Sequence, residues 1–325
     1  PSVRARAEAM SSPHHLHWGA EALWQRLEPL LPGLSVEVLA RAESTNTVLL
    51  ERARAMSGQP DAPITRPGDL SAAAPDVRTP LGRRSADVQP CLLVAEQQTR
   101  GRGRLGRGWT ASAGASLTFS LALPLAPTEW SGLSLAVGLA LAEALDPVPE
   151  AGTPPRIGQD AAASPPALPR IGLKWPNDLW LVEGPGRGRK LGGILIETVS
   201  VGQRRMCVIG VGLNVLPQPH EGLTHGYACL QEFDPGASAP AALACVAEPL
   251  VRAVLAFQTA GFAPLVAAYG RRDLLRGQPV STTLAEAAEG VAEGVDEHGA
   301  LRVRCDGLHR IVGGEVSVRL RGEAD

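Results

Sequence analysis

Four short segments of this sequence carry residue types suited to anionic and polar ligands. The first is TRGRGRLGRGW, residues 99–109. Its glycines remove side-chain walls and free the backbone, so that successive N–H groups can cup an anion. Its four arginines supply planar forks that grip carboxylate or phosphate in pairs. One reading is a cationic lid over an anionic ligand; the other is a solvated basic loop or a weak RNA-binding patch. It is neither a phosphate loop of the Gly-Lys-Ser/Thr type nor a dinucleotide fingerprint, because no helix follows its glycines directly. The second segment is GLKWPND, residues 172–178, where a lysine leaves a strand end and a proline stops the ladder. Asn177 and Asp178 there are turn formers that could also orient the lysine or hold a metal. The third comprises KLGGILIE, 190–197, and VIGVGLNV, 208–215. Glycines inside such strands mark close approach of a ligand or another chain segment, or a bulge. The fourth is ESTN, 43–46, where Ser44 can cap a helix start and leave polar donors facing a ligand.

Composition sharpens one of these. Only two of the 31 basic residues are lysine, Lys174 and Lys190. Lysines kept in an arginine-dominated chain are candidates for work that a guanidinium cannot do.

The elements that must position these residues are legible. Helices are expected at 20–31, 45–55, 132–145, 241–257 and 264–275. Strands are expected at 34–39, 91–95, 116–123, 171–175, 178–181, 193–199 and 206–211. From 278 to 320 short strand-like runs alternate with turn signals, the pattern of a small antiparallel barrel. The irregular mixture of strands and helices predicts an α+β fold rather than a doubly wound sheet. Residues 57–90 and 147–169 hold six and seven prolines with no apolar period, so they read as insertions that a compact core tolerates.

The chain has 325 residues and a net charge of −2, enough for a core and two domains and unlike a general polyanion binder. Its five cysteines form no CxxC pair, so they read as reduced thiols rather than a disulfide frame or a zinc site. The longest apolar helical stretch is expected at 133–145, too short to cross a bilayer. No apolar targeting segment is seen at the start. The first 43 residues are too short, with one helix, for a winged-helix DNA-binding domain.

Taken in order, the four segments resemble the biotin protein ligases, and GGEVSVR, 313–319, is similar to the end of that family's small C-terminal domain. The resemblance spans roughly residues 40 to 320. It implies an α+β chain: a mixed-sheet catalytic domain of the biotin/lipoate ligase, class II aminoacyl-tRNA synthetase-like type, over residues 18–275. An SH3-like β-barrel over 276–325 follows, and a disordered segment, 1–17, precedes. It implies that biotin reacts with ATP, with Mg²⁺, to give biotinyl-AMP, and that a lysine of a biotin carboxyl carrier protein then takes the biotinyl group. By family pattern Ser44, Thr45, Asn46, Gln98, Gly101, Arg102, Gly103, Arg104 and Lys174 meet biotin. Arg102, Arg104, Trp109, Lys174, Asn214, Glu315 and Arg319 meet the nucleotide. Lys174 falls on the catalytic lysine, with Arg102 beside it, and Lys190 is left a more local part. No resident metal ligand set is implied. The expected partners are biotin, ATP and the carrier, with no specific DNA and no membrane, in the cytoplasm; a homodimer is compatible. A lipoate or octanoate ligase relative is the second reading. An Arg/Gly RNA-binding module is a remote third, because no stacking aromatics interleave the arginines.

Overall fold

The computed structural model describes residues 16–57, 63–66, 89–148, 169–218, 226–312 and 318–320. Most of the two Pro-rich segments, the first 15 residues and 313–317 of the GGEVSVR motif lie outside the described residues.

Chain order runs α1 (Ala20–Leu27), β1 (Ser35–Ala42), α2 (Thr45–Ser57), β2 (Ile64–Thr65), β3 (Cys91–Gln98), β4 (Gly101–Arg102), β5 (Gly108–Trp109), β6 (Ser116–Pro124) and α3 (Leu133–Leu145). It continues through β7 (Ile171–Lys174), β8 (Asp178–Gly184), β9 (Arg187–Val201), β10 (Arg204–Asn214), α4 (Ala239–Ala260) and α5 (Val266–Gly270). The C-terminal part holds β11 (Pro279–Thr282), β12 (Glu289–Val295), β13 (Leu301–Arg304), β14 (Leu308–Ile311) and β15 (Val318–Leu320).

The large sheet has the order β1-β3-β6-β10-β9-β8-β7, with β2 paired to β9. β1 and β3 are parallel and the other neighbours antiparallel, so the sheet is mixed, as the family resemblance implies. Strict alternation divides its faces. In β6, Leu117, Phe119, Leu121 and Leu123 enter the main core, where α1, α3 and α4 pack. Ser116, Thr118, Ser120 and Ala122 face the other way, toward α2. The apolar part of that second face is a separate cluster in which Leu49, Leu50 and Ala53 of α2 meet Leu93, Val199 and Val208. One helix thus covers one face of the sheet, and its N-terminus overlies the polar half.

The C-terminal sheet is antiparallel, in the order β14-β13-β12-β11-β15. No closed barrel is present among the described residues. It is joined to the large sheet at two places. Leu173 exchanges backbone bonds with the segment at 272–274 (Leu173 N to Arg272 O, 2.7 Å; Leu274 N to Leu173 O, 3.0 Å). Trp175 Nε1 donates to the Gly299 carbonyl at 3.0 Å in the β12–β13 turn.

Several expectations are corrected. The helix expected at 20–31 ends at Leu27 and continues as turns to Gly33. The helix expected at 264–275 is a 3-10 turn, Ala263–Leu265, followed by the five-residue α5, because Arg272 is drawn off to bond Asp146 and the Ile171 carbonyl. The longest apolar helix is α4, 22 residues, not α3; by length and composition it could cross a membrane. Its Leu243, Val246, Leu250 and Val254 are instead buried in the main core. The 57–90 segment is not wholly extraneous, since β2 continues the sheet beside Val199 where β8 has turned away.

Candidate active site

The polar end of α2 forms the floor of a cleft. Ser44 caps the helix, accepting from Thr47 N at 3.5 Å. Gln98, where β3 ends, accepts from Thr45 N at 2.7 Å and from its hydroxyl at 3.2 Å. Ser120 Oγ lies 2.6 Å from both Thr45 Oγ1 and Asn46 Oδ1, and its single proton serves one of the two at a time. Asn46 Nδ2 donates to the Leu195 carbonyl at 3.1 Å and to Glu197 Oε2 at 3.0 Å. Ser44, Thr45 and Asn46 are each 3 % exposed, so this end is a preset array of hydroxyl and amide groups.

The Gly/Arg loop folds over that floor as a small hairpin in which Gly101 pairs with Trp109 and Arg102 with Gly108. A Cβ on Gly101 would meet the Trp109 carbonyl at 2.2 Å, so the hairpin neck requires a glycine there. Arg102 donates to Glu197 Oε1 at 2.7 Å, and Arg104 to Asn177 Oδ1 at 3.2 Å. Glu197 therefore joins Asn46 and Arg102 through one carboxylate, 2 % exposed. The indole of Trp109 lies against Gly212, where a Cβ would sit 2.5 Å from its ring. Its Nε1 is buried against Gly212 and has no hydrogen-bond partner among the described residues.

The lysines stand on the opposite wall, beyond the cis Trp175–Pro176 peptide bond. Lys174 is 4 % exposed, with its Nζ 4.3 Å from the centre of the Trp180 ring. Lys190 keeps 29 % of its side chain exposed, and its Nζ is held by Asp178 Oδ1 at 2.8 Å. The turn residues, expected to orient Lys174, are engaged elsewhere: Asp178 pairs with Lys190 and Asn177 with Arg104 instead. Asn177 Nδ2 donates to the Ile194 carbonyl at 2.9 Å, which fixes its oxygen toward Arg104.

Ser44, Thr45, Asn46, Gln98, Arg102, Arg104, Trp109, Lys174, Asn177, Asp178 and Lys190 line one cleft, together with Gly103, Arg107, Gly108, Trp175, Gly210, Gly212 and, from the C-terminal sheet, Val318; Ser120 and Glu197 stand behind the lining and hold it. Among the described residues Arg102, Arg104, Arg107, Lys174 and Lys190 line it against the one carboxylate of Asp178, a wall suited to a polyanion. Of the residues expected there, Ser44, Thr45, Asn46, Gln98, Arg102, Gly103, Arg104, Trp109 and Lys174 do line it. Gly101 stands behind them, at the hairpin neck. Asn214 is not on the lining: its amide donates to the Lys190 and Ala228 carbonyls at 3.2 and 2.9 Å and secures the strand that carries Lys190. Arg319 is half-buried next to Val318, and Glu315 lies outside the described residues. Sequence reasoning missed Ser120 and Glu197. The Ser/Thr-Leu alternation of β6 is the signal that could have found Ser120; nothing local marks Glu197.

Comparison with known proteins agrees with this architecture. The model of the biotin/lipoate A/B protein ligase family matches residues 84–214, and that of the biotin protein ligase C-terminal domain matches 276–319. The bifunctional ligase/repressor BirA of Escherichia coli is 31% identical over 296 residues, 89% of this chain and 75% of that protein. The biotin–[acetyl-CoA-carboxylase] ligase of Mycobacterium tuberculosis is 33% identical over 311 residues, 93% of this chain and 92% of that one. Among solved structures, the biotin protein ligase of Aquifex aeolicus in complex with biotin and ATP shares the fold, with a TM-score of 0.60 at 21% identity over 88% of this chain and 98% of that one. The chain belongs to the biotin protein ligase family.

Proposed function

We propose that the protein condenses biotin with ATP to biotinyl-5'-AMP and pyrophosphate, then transfers the biotinyl group to a lysine of a biotin carboxyl carrier protein. The observation that carries this reading is the meeting, in one cleft, of a buried hydroxyl and amide array with five cations. The array of Thr45, Asn46 and Gln98, braced from behind by Ser120, suits a compact, neutral, hydrogen-bonding ring. The cations suit a carboxylate and a triphosphate, which repel each other until their charge is offset.

In the first step a biotin carboxylate oxygen attacks the α-phosphorus, and the bond to pyrophosphate breaks. Arg102, fixed by Glu197, and the lysines offset charge on the transferring phosphoryl group. Family pattern assigns the central part to Lys174, which acts from beneath as a cation fixed on Trp180. Lys190 is the more accessible ammonium, and Asp178 sets its direction; we assign it an equal share. Trp109 and the hairpin wall the nucleotide side and keep water from the anhydride. In the second step the carrier amine attacks the acyl carbonyl, AMP leaves with the bonding electrons, and the amine loses a proton. Mg²⁺ would be held at the hard oxygens of Asp178 and Asn177, in exchange for their contacts with Lys190 and Arg104, and when bound it would neutralise triphosphate charge. Asn214 supports the Lys190 strand, while Glu315 and Arg319 are read as lying toward the nucleotide. The C-terminal sheet is read as an opened SH3-like barrel over 276–325, and the large domain, 18–275, as class II synthetase-like. The proposed setting is the cytoplasm, with biotin, ATP and the carrier as partners.

The test is biotin-dependent exchange of labelled pyrophosphate into ATP, followed by labelling of a carrier domain. Exchange with biotin and none with lipoate supports the reading. Exchange only with lipoate or octanoate would move the protein to the second reading, and exchange with none of them would overturn it.

A further inference from the structure

The hairpin between β13 and β14 gathers three unlike donors, none of which lines the cleft. Arg304 pairs with Leu308 across the ladder, which leaves 305–307 as the turn. Within it the Cys305 N–H donates to the Gly307 carbonyl at 3.0 Å. His309 is the second residue of β14, opposite Val303. The turn thereby folds Cys305 Sγ, an Asp306 oxygen and a His309 ring nitrogen to within 4.8 Å of one another. The Asp306 Oδ1 to His309 Nε2 separation is 2.9 Å. Cys305 and Asp306 are exposed and His309 is half-buried, so an ion can arrive without any opening of the core.

We propose that Cys305, Asp306 and His309 form a binding site for a borderline-soft divalent ion of the zinc type. The donor set is one sulfur, one imidazole nitrogen and one carboxylate oxygen, which suits Zn²⁺ and disfavours the all-oxygen ions Mg²⁺ and Ca²⁺. Around a tetrahedral zinc, bonds of about 2.0 to 2.3 Å place donors about 3.3 to 3.7 Å apart. The present cluster reaches that spacing by side-chain rotation: the Asp306–His309 pair opens by about 0.5 Å and the widest separation, within 4.8 Å, closes by about 1 Å. Three protein donors leave the fourth position to water. The spacing, two adjacent donors and a third three residues on, is too local to resemble a CxxC site. It works because the tight turn folds the chain back on itself. β14 is one edge of the C-terminal sheet and β15, which carries Val318 to the cleft, is the other. Cys305, Asp306 and His309 share no residue with the cleft lining, so the site is distinct from it and does not rest on the proposed reaction.

Cobalt(II) titration of the full reduced chain tests it. One equivalent should bring a thiolate-to-cobalt charge-transfer band and tetrahedral visible bands, and Zn²⁺ should abolish both. Cys305→Ser and Cys305→Ala should lose the charge-transfer band, while His309→Ala and Asp306→Asn should each weaken binding at least tenfold. Cys245→Ser, which changes the other exposed cysteine, should leave the spectrum unchanged. Biotin-dependent pyrophosphate exchange by Cys305→Ser should match the parent, which also shows that the variant is folded. Absence of the band in the parent overturns the site. So does its survival in Cys305→Ser, its loss in Cys245→Ser, or full affinity in His309→Ala or Asp306→Asn.

Discussion

Asn46 of α2 and Gly210 of β10 share one space: a Cβ on Gly210 would lie 2.3 Å from Asn46 Oδ1. The helix that carries the polar floor can approach its sheet only because the strand has no side chain at that point. Gly210→Ala should therefore push Asn46 off Ser120 and Glu197 while leaving the fold intact. Its KM for biotin should rise at least tenfold, since displacements of about 1 Å in a positioned group cost on the order of a hundredfold. Gly212→Ala should act on Trp109 instead and raise the KM for ATP. Steady-state adenylation kinetics separate the two, and parent values in either variant would remove that contact from the site.

The two lysines should respond differently to arginine. Lys190→Arg should lower the exchange rate about a hundredfold with stability unchanged, because a planar fork cannot follow a transferring group as a compact ammonium does. Lys174→Arg should lose activity and also about 1–3 kcal/mol of stability, since the larger head must be forced into the space over Trp180. Exchange assays beside thermal unfolding read both. If Lys190→Arg turns over at the parent rate, the charge role returns to Lys174 alone.

The hairpin at 101–109 should become protected when ligand binds. Leu105 at its tip is 38 % exposed and holds a positive φ of 56°, and the neighbouring arginines repel until an anion arrives. Trypsin should cut after Arg102, Arg104 or Arg107 several-fold more slowly with biotin and ATP present. Equal rates would argue against closure on ligand.

Asp146 ties the two ends of the second Pro-rich segment to the start of the C-terminal sheet. It accepts from Arg170 N at 2.8 Å, Ile171 N at 3.1 Å and the buried Arg272 at 3.1 Å. Burial acts to raise its carboxyl, but the bonds from Ile171, Arg272 and Arg170 outweigh it and hold the group below the ordinary range. A carboxyl depressed on folding contributes stability above its unfolded value, near 3.9. That contribution is lost as pH falls through the folded value. Asp146→Asn should flatten this acid limb and cost about 3 kcal/mol at neutral pH, because Arg272 is left buried without its partner charge. Urea midpoints between pH 2 and 7 measure both effects.

Deleting 67–88 should leave the ligase folded and active, whereas deleting 63–88 should lower its thermal midpoint. The difference is β2, whose Ile64 packs on the α2 cluster beside Val199. Equal midpoints would mean that the short strand adds nothing.

The sequence by itself determined the parts whose cause is local. Alternation in SLTFSLALP makes β6 a two-faced strand, Ser44 starts α2, and Pro176 ends β7. The order of the motifs was enough to reach the family. Tertiary structure alone decided which faces meet. Gly210 and Gly212 are glycines because Asn46 and Trp109, more than a hundred residues earlier, press on them. Asn214 has the type of a ligand-binding residue, yet register places its amide on the carbonyls of Lys190 and Ala228. Asp178 holds Lys190 because β8 and β9 pair there, and Glu197 joins Arg102 to Asn46 across three elements. The helix expected at 264–275 stops early because Arg272 is claimed by Asp146. Local patterns encode dihedral preferences and which side of an element is apolar; the partner on that side is chosen by packing among segments far apart in sequence, and no window along the chain contains it.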